Sequence, residues 1–268
     1  MIINNQDAIN TFFEARELIN LPKTFLIVGD YGCGKKLLID KLAKKYNAEL
    51  KNIDDPINKD LVYELEDINT LTFISIDGDN LSQLEQNKVL KFIEDNNSSC
   101  YIFIVCTNLN NILETIKNRC QIILFEKYSK DYLKLIFYEN DNNLQDINYS
   151  DYLYICNTPG KIKKYNYNYF SILLDYAKKL IDNFDKISIS NLLFLSDKLN
   201  FKKDKELLKL FVSILEKECL NRILSNSNNN ICKIILNSLI ELKNSYYIIN
   251  SDLSIYFDYF IIKTRVSI

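Results

Sequence analysis

Three of the five glycines in this 268-residue chain fall within six positions, in Gly29-Asp30-Tyr31-Gly32-Cys33-Gly34-Lys35-Lys36. The apolar run Thr24-Phe25-Leu26-Ile27-Val28 leads straight into them. Leu38, Leu42 and Ala43 then share one face of a helix running from Leu37 to Tyr46. Strand, glycine turn and helix in that order form a P-loop. In such a loop the backbone N–H groups turn inward around phosphate oxygens, the helix N-terminus adds partial positive charge, and the lysine reaches the β- and γ-phosphates. Gly29, Gly32, Gly34, Lys35 and Lys36 are therefore the candidate phosphate-binding residues. The rival reading is a glycine-rich turn without ligand; strand, spacing and lysine together favour the P-loop. One residue weakens its catalytic use, because Lys36 stands where Ser or Thr would offer a hydroxyl to Mg²⁺.

Further strand-like runs follow at Thr72-Phe73-Ile74-Ser75-Ile76, Tyr101-Ile102-Phe103-Ile104-Val105 and Gln121-Ile122-Ile123-Leu124-Phe125, with helical patterns between them at Leu81 to Asp95 and Asn111 to Lys117. Alternation of this kind predicts an α/β core with a parallel sheet over residues 1–125. Past Phe125 the texture is helical. A small helical domain is expected over 126–168, including the turn Asn157-Thr158-Pro159-Gly160, and an all-helical domain over 169–268, with helices at Phe170–Phe184, Ser190–Leu199, Lys205–Leu224 and Ile231–Leu242.

The strand-like run Thr72–Ile76 ends in Asp77-Gly78-Asp79. A carboxylate at a strand end beside a P-loop suits Mg²⁺, and an active ATPase of this type normally places next a glutamate that polarises the attacking water. Here that place is Gly78. Asp77 is a candidate metal or nucleotide contact, or equally a capping residue for the turn before Leu81; Asp79 is displaced by one residue and should point elsewhere.

The chain has no histidine, which excludes Ser-His-Asp and Cys-His nucleophiles and histidine zinc sites. Its seven cysteines form no CxxC pair, so neither a zinc ribbon nor a disulfide framework fits. A net charge of −2 argues against coating nucleic acid through bulk charge. The N-terminus lacks a signal peptide's pattern, and no run approaches the roughly 18 apolar residues of a membrane span. A cytoplasmic protein without membrane partners is expected. Lys161, Lys163, Lys164 and Lys202-Lys203 read as solvated helix faces rather than phosphate contacts, and Tyr165 to Tyr169 as packing rather than base stacking.

The order Asp77-Gly78-Asp79-Asn80-Leu81, Gln86-Asn87-Lys88-Val89-Leu90-Lys91-Phe92-Ile93-Glu94-Asp95, Thr107-Asn108 and Thr115-Ile116-Lys117-Asn118-Arg119-Cys120-Gln121 resembles the AAA+ clamp-loader subunits of DNA replication. Within that family it is most similar to the bacterial DNA polymerase III delta-prime subunit. The resemblance is strong from about Phe25 to Phe125, weak through Thr158-Pro159-Gly160-Lys161, and beyond that only one of helical character. It implies an AAA+ P-loop core, a helical lid, and a C-terminal collar that joins a ring of subunits. It puts Asn108 at sensor one, near the γ-phosphate. It puts Arg119 on the arginine of a Ser-Arg-Cys motif, a catalytic finger reaching into a neighbour's ATP site. Taken alone, Arg119 could equally be a helix-end cation satisfying the last carbonyls.

Departures from the family pattern are as informative. Lys36 replaces the hydroxyl, Gly78 the glutamate and Gly160 the sensor-two arginine, while the four-cysteine zinc module is absent. The resemblance thus implies a subunit with little ATPase of its own, helping to load a sliding clamp onto primer-template DNA beside other clamp-loader subunits. ATP binding would be weak or absent, Mg²⁺ present only with nucleotide, and zinc not used. The alternative is a self-sufficient AAA+ ATPase such as a replication initiator, helicase loader or branch-migration motor; a third reading is an interaction scaffold.

Overall fold

A computed structural model describes residues 2–4, 6–53, 70–95, 99–140, 149–199, 201, 204–225, 229–245 and 253–268. The chain divides into two compact units, one of residues 1–129 with 158–161, the other of residues 130–157 with 162–268.

The first unit is built on a six-stranded sheet of β1 (Ile2–Asn4), β2 (Thr24–Val28), β3 (Glu49–Ile53), β4 (Thr72–Asp77), β5 (Cys100–Cys106) and β6 (Gln121–Leu124). All pairings are parallel and the spatial order is β1-β6-β2-β5-β4-β3. Successive side chains alternate between faces, and here the alternation sorts them by kind. Phe25, Ile27, Phe73, Tyr101, Phe103 and Val105 share one core with the first helices of the unit, α1 (Gln6–Glu14) and α2 (Lys35–Tyr46). Leu26, Val28, Ile74, Ile76, Ile102 and Ile104 share the other with α3 (Gln83–Glu94) and the short α4 (Glu114–Lys117). The first face is largely aromatic, with the Phe25 and Phe103 rings stacked 5.0 Å apart; the second is aliphatic. Burying both faces explains why β2, β4 and β5 read as continuous apolar runs.

Helix α3 starts on a capping box: Ser82 Oγ accepts from Glu85 N–H, and the Glu85 carboxylate accepts from Ser82 N–H. The helix expected over Asn111 to Lys117 is instead a 3₁₀ turn, Leu109–Asn111, and a single helical turn, α4. Buried Gln86 on α3 imposes the break. Its amide donates to the Asn111 carbonyl at 2.9 Å and its oxygen accepts from Leu113 N–H at 2.8 Å, holding residues 111–113 out of helical geometry.

The second unit is helical throughout its described residues: α5 (Lys130–Asn140), α6 (Ser150–Ile155), α7 (Pro159–Lys164, which begins in the first unit), α8 (Tyr167–Asn183), α9 (Ile189–Lys198), α10 (Lys205–Ser225), α11 (Asn230–Ser245) and α12 (Leu253–Ser267). Phe137, Tyr152 and Phe170 form one aromatic cluster, and the Tyr152 hydroxyl donates to the Tyr165 carbonyl at 2.8 Å. Tyr165 is buried, as packing requires. Lys164 pairs with Asp204 at 2.9 Å, while Lys202-Lys203 lies outside the described residues. Among the described residues no helix is long and apolar enough to cross a membrane.

Candidate functional site

Parallel strands deliver the loops at their carboxyl ends to one edge of a sheet, where α/β proteins bind ligands. Register puts the three signatures side by side there. Val28 is opposite Cys106 and Asp77 opposite Val105, so the P-loop after β2, the Thr107-Asn108 pair after β5 and the end of β4 adjoin one another. Gly29 N–H donates to the Cys106 carbonyl at 3.1 Å and completes the β2–β5 ladder into the loop.

The glycine loop turns sharply between β2 and α2. Gly32 and Gly34 have φ of 77° and 101°, values open to glycine at little cost, and Gly34 is the N-cap of α2. Lys35 is buried, and its ammonium is turned onto the loop itself, donating to the Gly29 carbonyl and, at 2.9 Å, to the Asp30 carbonyl. Lys36, one residue further along α2, is exposed. Burial pushes the Cys33 thiol above its ordinary pKa against the pull of the Lys35 ammonium, as expected of a buried packing residue.

Asp77 serves as a cap. Its carboxylate accepts from Asp79 N–H at 3.1 Å and from the Asn80 amide at 3.2 Å, closing the turn Gly78–Asn80. Asp79 points elsewhere, onto Thr107, whose N–H meets both carboxylate oxygens at 3.0 and 2.8 Å and whose hydroxyl donates at 3.1 Å. Gly78 is buried, and a Cβ there would lie 3.0 Å from both Ile104 Cγ2 and Ile112 Cδ1. The position where an active ATPase carries its glutamate thus faces the aliphatic core, and any side chain there would have to push Ile104 and Ile112 aside. Asn108 Oδ1 accepts from Asn110 N–H at 2.9 Å and caps the next turn.

This edge fits a phosphate group better than a metal ion. A phosphate could meet the backbone N–H groups of the glycine loop if Lys35 turned from its own carbonyls, whereas both oxygens of Asp77 are engaged, position 36 has no hydroxyl, and the residue after Asp77 is a glycine. Among the described residues no group of three or more Cys, Asp or Glu side chains is placed to hold a metal, and the seven cysteines are free thiols.

Arg119 is not part of this edge. It precedes β6, and its carbonyl accepts from the hydroxyl of Thr24, the first residue of β2. It therefore lies at the amino-end edge of the sheet, opposite the P-loop. Its side chain is half exposed, bonded to Glu94 of α3 at 2.6 Å and to the Thr115 carbonyl at 3.1 Å. The helix-end role is thus present, and a carboxylate partner is added to it. Nothing in the sequence flagged Glu94 as that partner, nor Tyr128 and Thr158 as P-loop contacts. Tyr128 Oη donates to the Cys33 carbonyl at 2.7 Å and Thr158 Oγ1 to the Tyr31 carbonyl at 2.8 Å. Single hydroxyls distant in sequence carry no local pattern that would reveal them.

Residues 69–129 match the family described as "DNA polymerase III, delta subunit". No curated protein matches by sequence. In fold the chain is similar to a DNA polymerase III gamma subunit-related protein from Thermotoga maritima, with 14% identity over 97% of this chain and 98% of that one and a TM-score of 0.51. The RuvB Holliday junction branch migration motor of the same organism is also similar, with 18% identity, 82% and 76% coverage and a TM-score of 0.46. The end-to-end correspondence with the gamma-related protein shows the fold: an α/β core with a parallel sheet, followed by helical domains.

Proposed function

We propose that the chain is a clamp-loader subunit of the delta-prime kind, a largely passive member of a ring that opens a sliding clamp and sets it on primer-template DNA while neighbouring subunits hydrolyse ATP. The observation that carries this reading is the opposition of Arg119 and the P-loop across the sheet. Phe25 is paired with Gln121 and Val28 with Leu124, so the strand between Arg119 and the loop edge spans about 13 Å at 3.3 Å per residue. A phosphate in this chain's own loop is out of the arginine's reach, and any phosphate it meets belongs to another molecule. A guanidinium offers two parallel donors to such a group and neutralises charge as the phosphoryl is transferred.

The chain's own site supports the passive half of the reading. Nucleotide is held weakly or not at all, Mg²⁺ enters only with nucleotide, and zinc has no role. A self-sufficient motor needs the metal hydroxyl and the water-polarising acid; Lys36 and Gly78 supply neither. The partners are other clamp-loader subunits, the clamp, and DNA through the assembled ring, in the cytoplasm. Assembly would fall to the helical domains. On α12, Ile255, Tyr259, Ile262 and Val266 are exposed and recur at alternating spacings of four and three, the pattern of a helix–helix seam, while Phe257, Phe260 and Ile261 fill the chain's own core.

The test is co-elution of the full chain with the ATPase subunits of a DNA polymerase III-type loader, and clamp loading by the mixture. The chain alone should hydrolyse ATP at background, and Tyr259→Asp with Ile262→Asp should abolish co-elution while leaving it folded. Failure of the wild type to co-elute, or turnover by the isolated chain near about 1 s⁻¹ that Lys35→Ala removes, would overturn the proposal.

A further inference from the structure

Every carbonyl of the P-loop from residue 29 to residue 34 accepts a hydrogen bond from the chain itself. Lys35 Nζ takes Gly29 and Asp30, Thr158 Oγ1 takes Tyr31, Gly160 N–H takes Gly32, Tyr128 Oη takes Cys33 and Leu38 N–H takes Gly34. Two of these donors come from one turn, Thr158–Lys161, which includes the start of α7 and is grouped with the first unit. Thr158 is buried, and its hydroxyl both donates to Tyr31 and accepts from Lys161 N–H at 3.4 Å.

The turn meets the loop backbone to backbone. Gly160 N–H lies 2.9 Å from the Gly32 carbonyl oxygen. A Cβ at position 160 would stand 2.6 Å from Gly32 Cα and 2.8 Å from its oxygen. A Cβ at position 32 would stand 3.0 Å from Gly160 Cα, from Lys161 N and from Thr158 Oγ1. The obstacles at position 160 are backbone atoms, which no rotamer change moves aside. Two of the five glycines of the chain are therefore each required by the other.

We propose that the Thr158–Lys161 turn is a built-in latch that fixes the P-loop in one conformation without nucleotide. Gly160 is its critical residue, because the latch and any side chain at that position exclude each other. The clamp-loader resemblance puts the sensor-two arginine of ATP-hydrolysing relatives at this position, so its absence here makes room for a contact as well as removing a charge. A ligand shifts an equilibrium only by its differential affinity for the two states. Where the turn holds the loop in one conformation, nucleotide that meets that conformation should leave the loop and the turn as it finds them. The inference stands on the core unit alone and is independent of whether the chain joins a ring.

The experiment is hydrogen exchange on the full chain, followed in segments covering residues 30–37 and 157–162, with and without Mg-ATP. Wild-type protection in both segments should be the same under the two conditions. Gly160→Ala should speed exchange in both segments together by roughly tenfold or more, the loss of one or two hydrogen bonds, while β5 exchanges as before. If Gly160→Ala does not fold, Thr158→Val removes a single bond and should speed both segments by about threefold to tenfold. Exchange of residues 30–37 that ignores these substitutions would overturn the latch, and so would a gain of protection on adding Mg-ATP to the wild type.

Discussion

The two edges of one parallel sheet have been put to opposite uses. At the carboxyl-end edge, polar groups are turned inward: Lys35 onto its own loop, Asp77 onto its own turn, Asp79 onto Thr107, and the P-loop carbonyls onto side chains and backbone from elsewhere in the unit. At the amino-end edge, Arg119 is held by one carboxylate and one carbonyl and remains exposed. The same sheet can therefore carry a glycine loop whose carbonyls are bonded within the chain at one edge and an exposed guanidinium at the other. The bonding at one edge is separate from that at the other, because the paired strands β2 and β6 lie between them.

The largest test of this contrast is Arg119→Ala in a reconstituted loader at equal assembly. One neighbouring ATP site should lose on the order of 10³-fold in turnover, the whole ring less, and Arg119→Lys should restore little because a point charge lacks the paired donors. DNA- and clamp-stimulated ATPase reads the effect, and unchanged rates would reduce Arg119 to a helix-end cation. At the other edge, Gly78→Glu should fail to create ATPase activity. By forcing an acid between Ile104 and Ile112 it should instead cost about 3 kcal/mol or more in denaturant unfolding. Lys35→Ala should behave as a stability mutant, not a catalytic one, losing about 1–3 kcal/mol as the Gly29 carbonyl loses its donor and the Asp30 carbonyl keeps only Cys33 N–H.

Each edge also carries a cysteine that reports on it. Burial pushes the Cys106 thiol, at the P-loop edge, up to about 12, and Asp79 adds to the rise. Burial pushes Cys120, beside Arg119, to about 11 against a hydrogen bond from Thr24. Both folded values exceed the unfolded 9.0. Their stabilising contribution is therefore complete below pH 9 and is lost as pH rises through the folded values, about 1 kcal/mol for each thiol by pH 10. Unfolding midpoints between pH 8 and 10 should show it, and Cys106→Ala with Cys120→Ala should flatten the slope. The smallest effect belongs to Glu94→Gln, since an ion pair between half-exposed groups is worth less than about 1 kcal/mol; a larger change would mean that Arg119 is held more firmly at its edge than its exposure suggests.

Much of the core was legible because buried parallel strands are written as apolar runs. β2, β4, β5 and β6 and helices α2 and α3 stand within a few residues of their sequence-based bounds. β3 was not, because Glu49-Leu50-Lys51-Asn52-Ile53 is a half-exposed strand with a mixed sequence, and neither was the three-residue β1. α12 escaped for the opposite reason: apolar residues surround it on every side, and periodicity has nothing to contrast. In the site, the residue types were readable and their directions were not. Spacing puts Asp77, Asn108 and Lys35 at one edge, but whether each faces a ligand or its own backbone is decided by distant partners. Gly78 and Gly160 could be read as missing groups; that a Cβ there would crowd Ile104, Ile112 or the Gly32 backbone depends on residues distant in sequence.

The short strand β1 has a consequence for the handling of the protein. By pairing Ile2, Ile3 and Asn4 with Ile122, Ile123 and Leu124 it covers a run that would otherwise be an open, apolar sheet margin. The opposite margin, β3, carries its own deterrent in Glu49, Lys51 and Asn52, the charged and polar side chains that discourage edge-to-edge pairing. β6 has no such guard of its own. A chain trimmed or bulkily tagged at its first residues would expose a ready template for strand addition, and aggregation should then begin at β6 before any helix has unfolded.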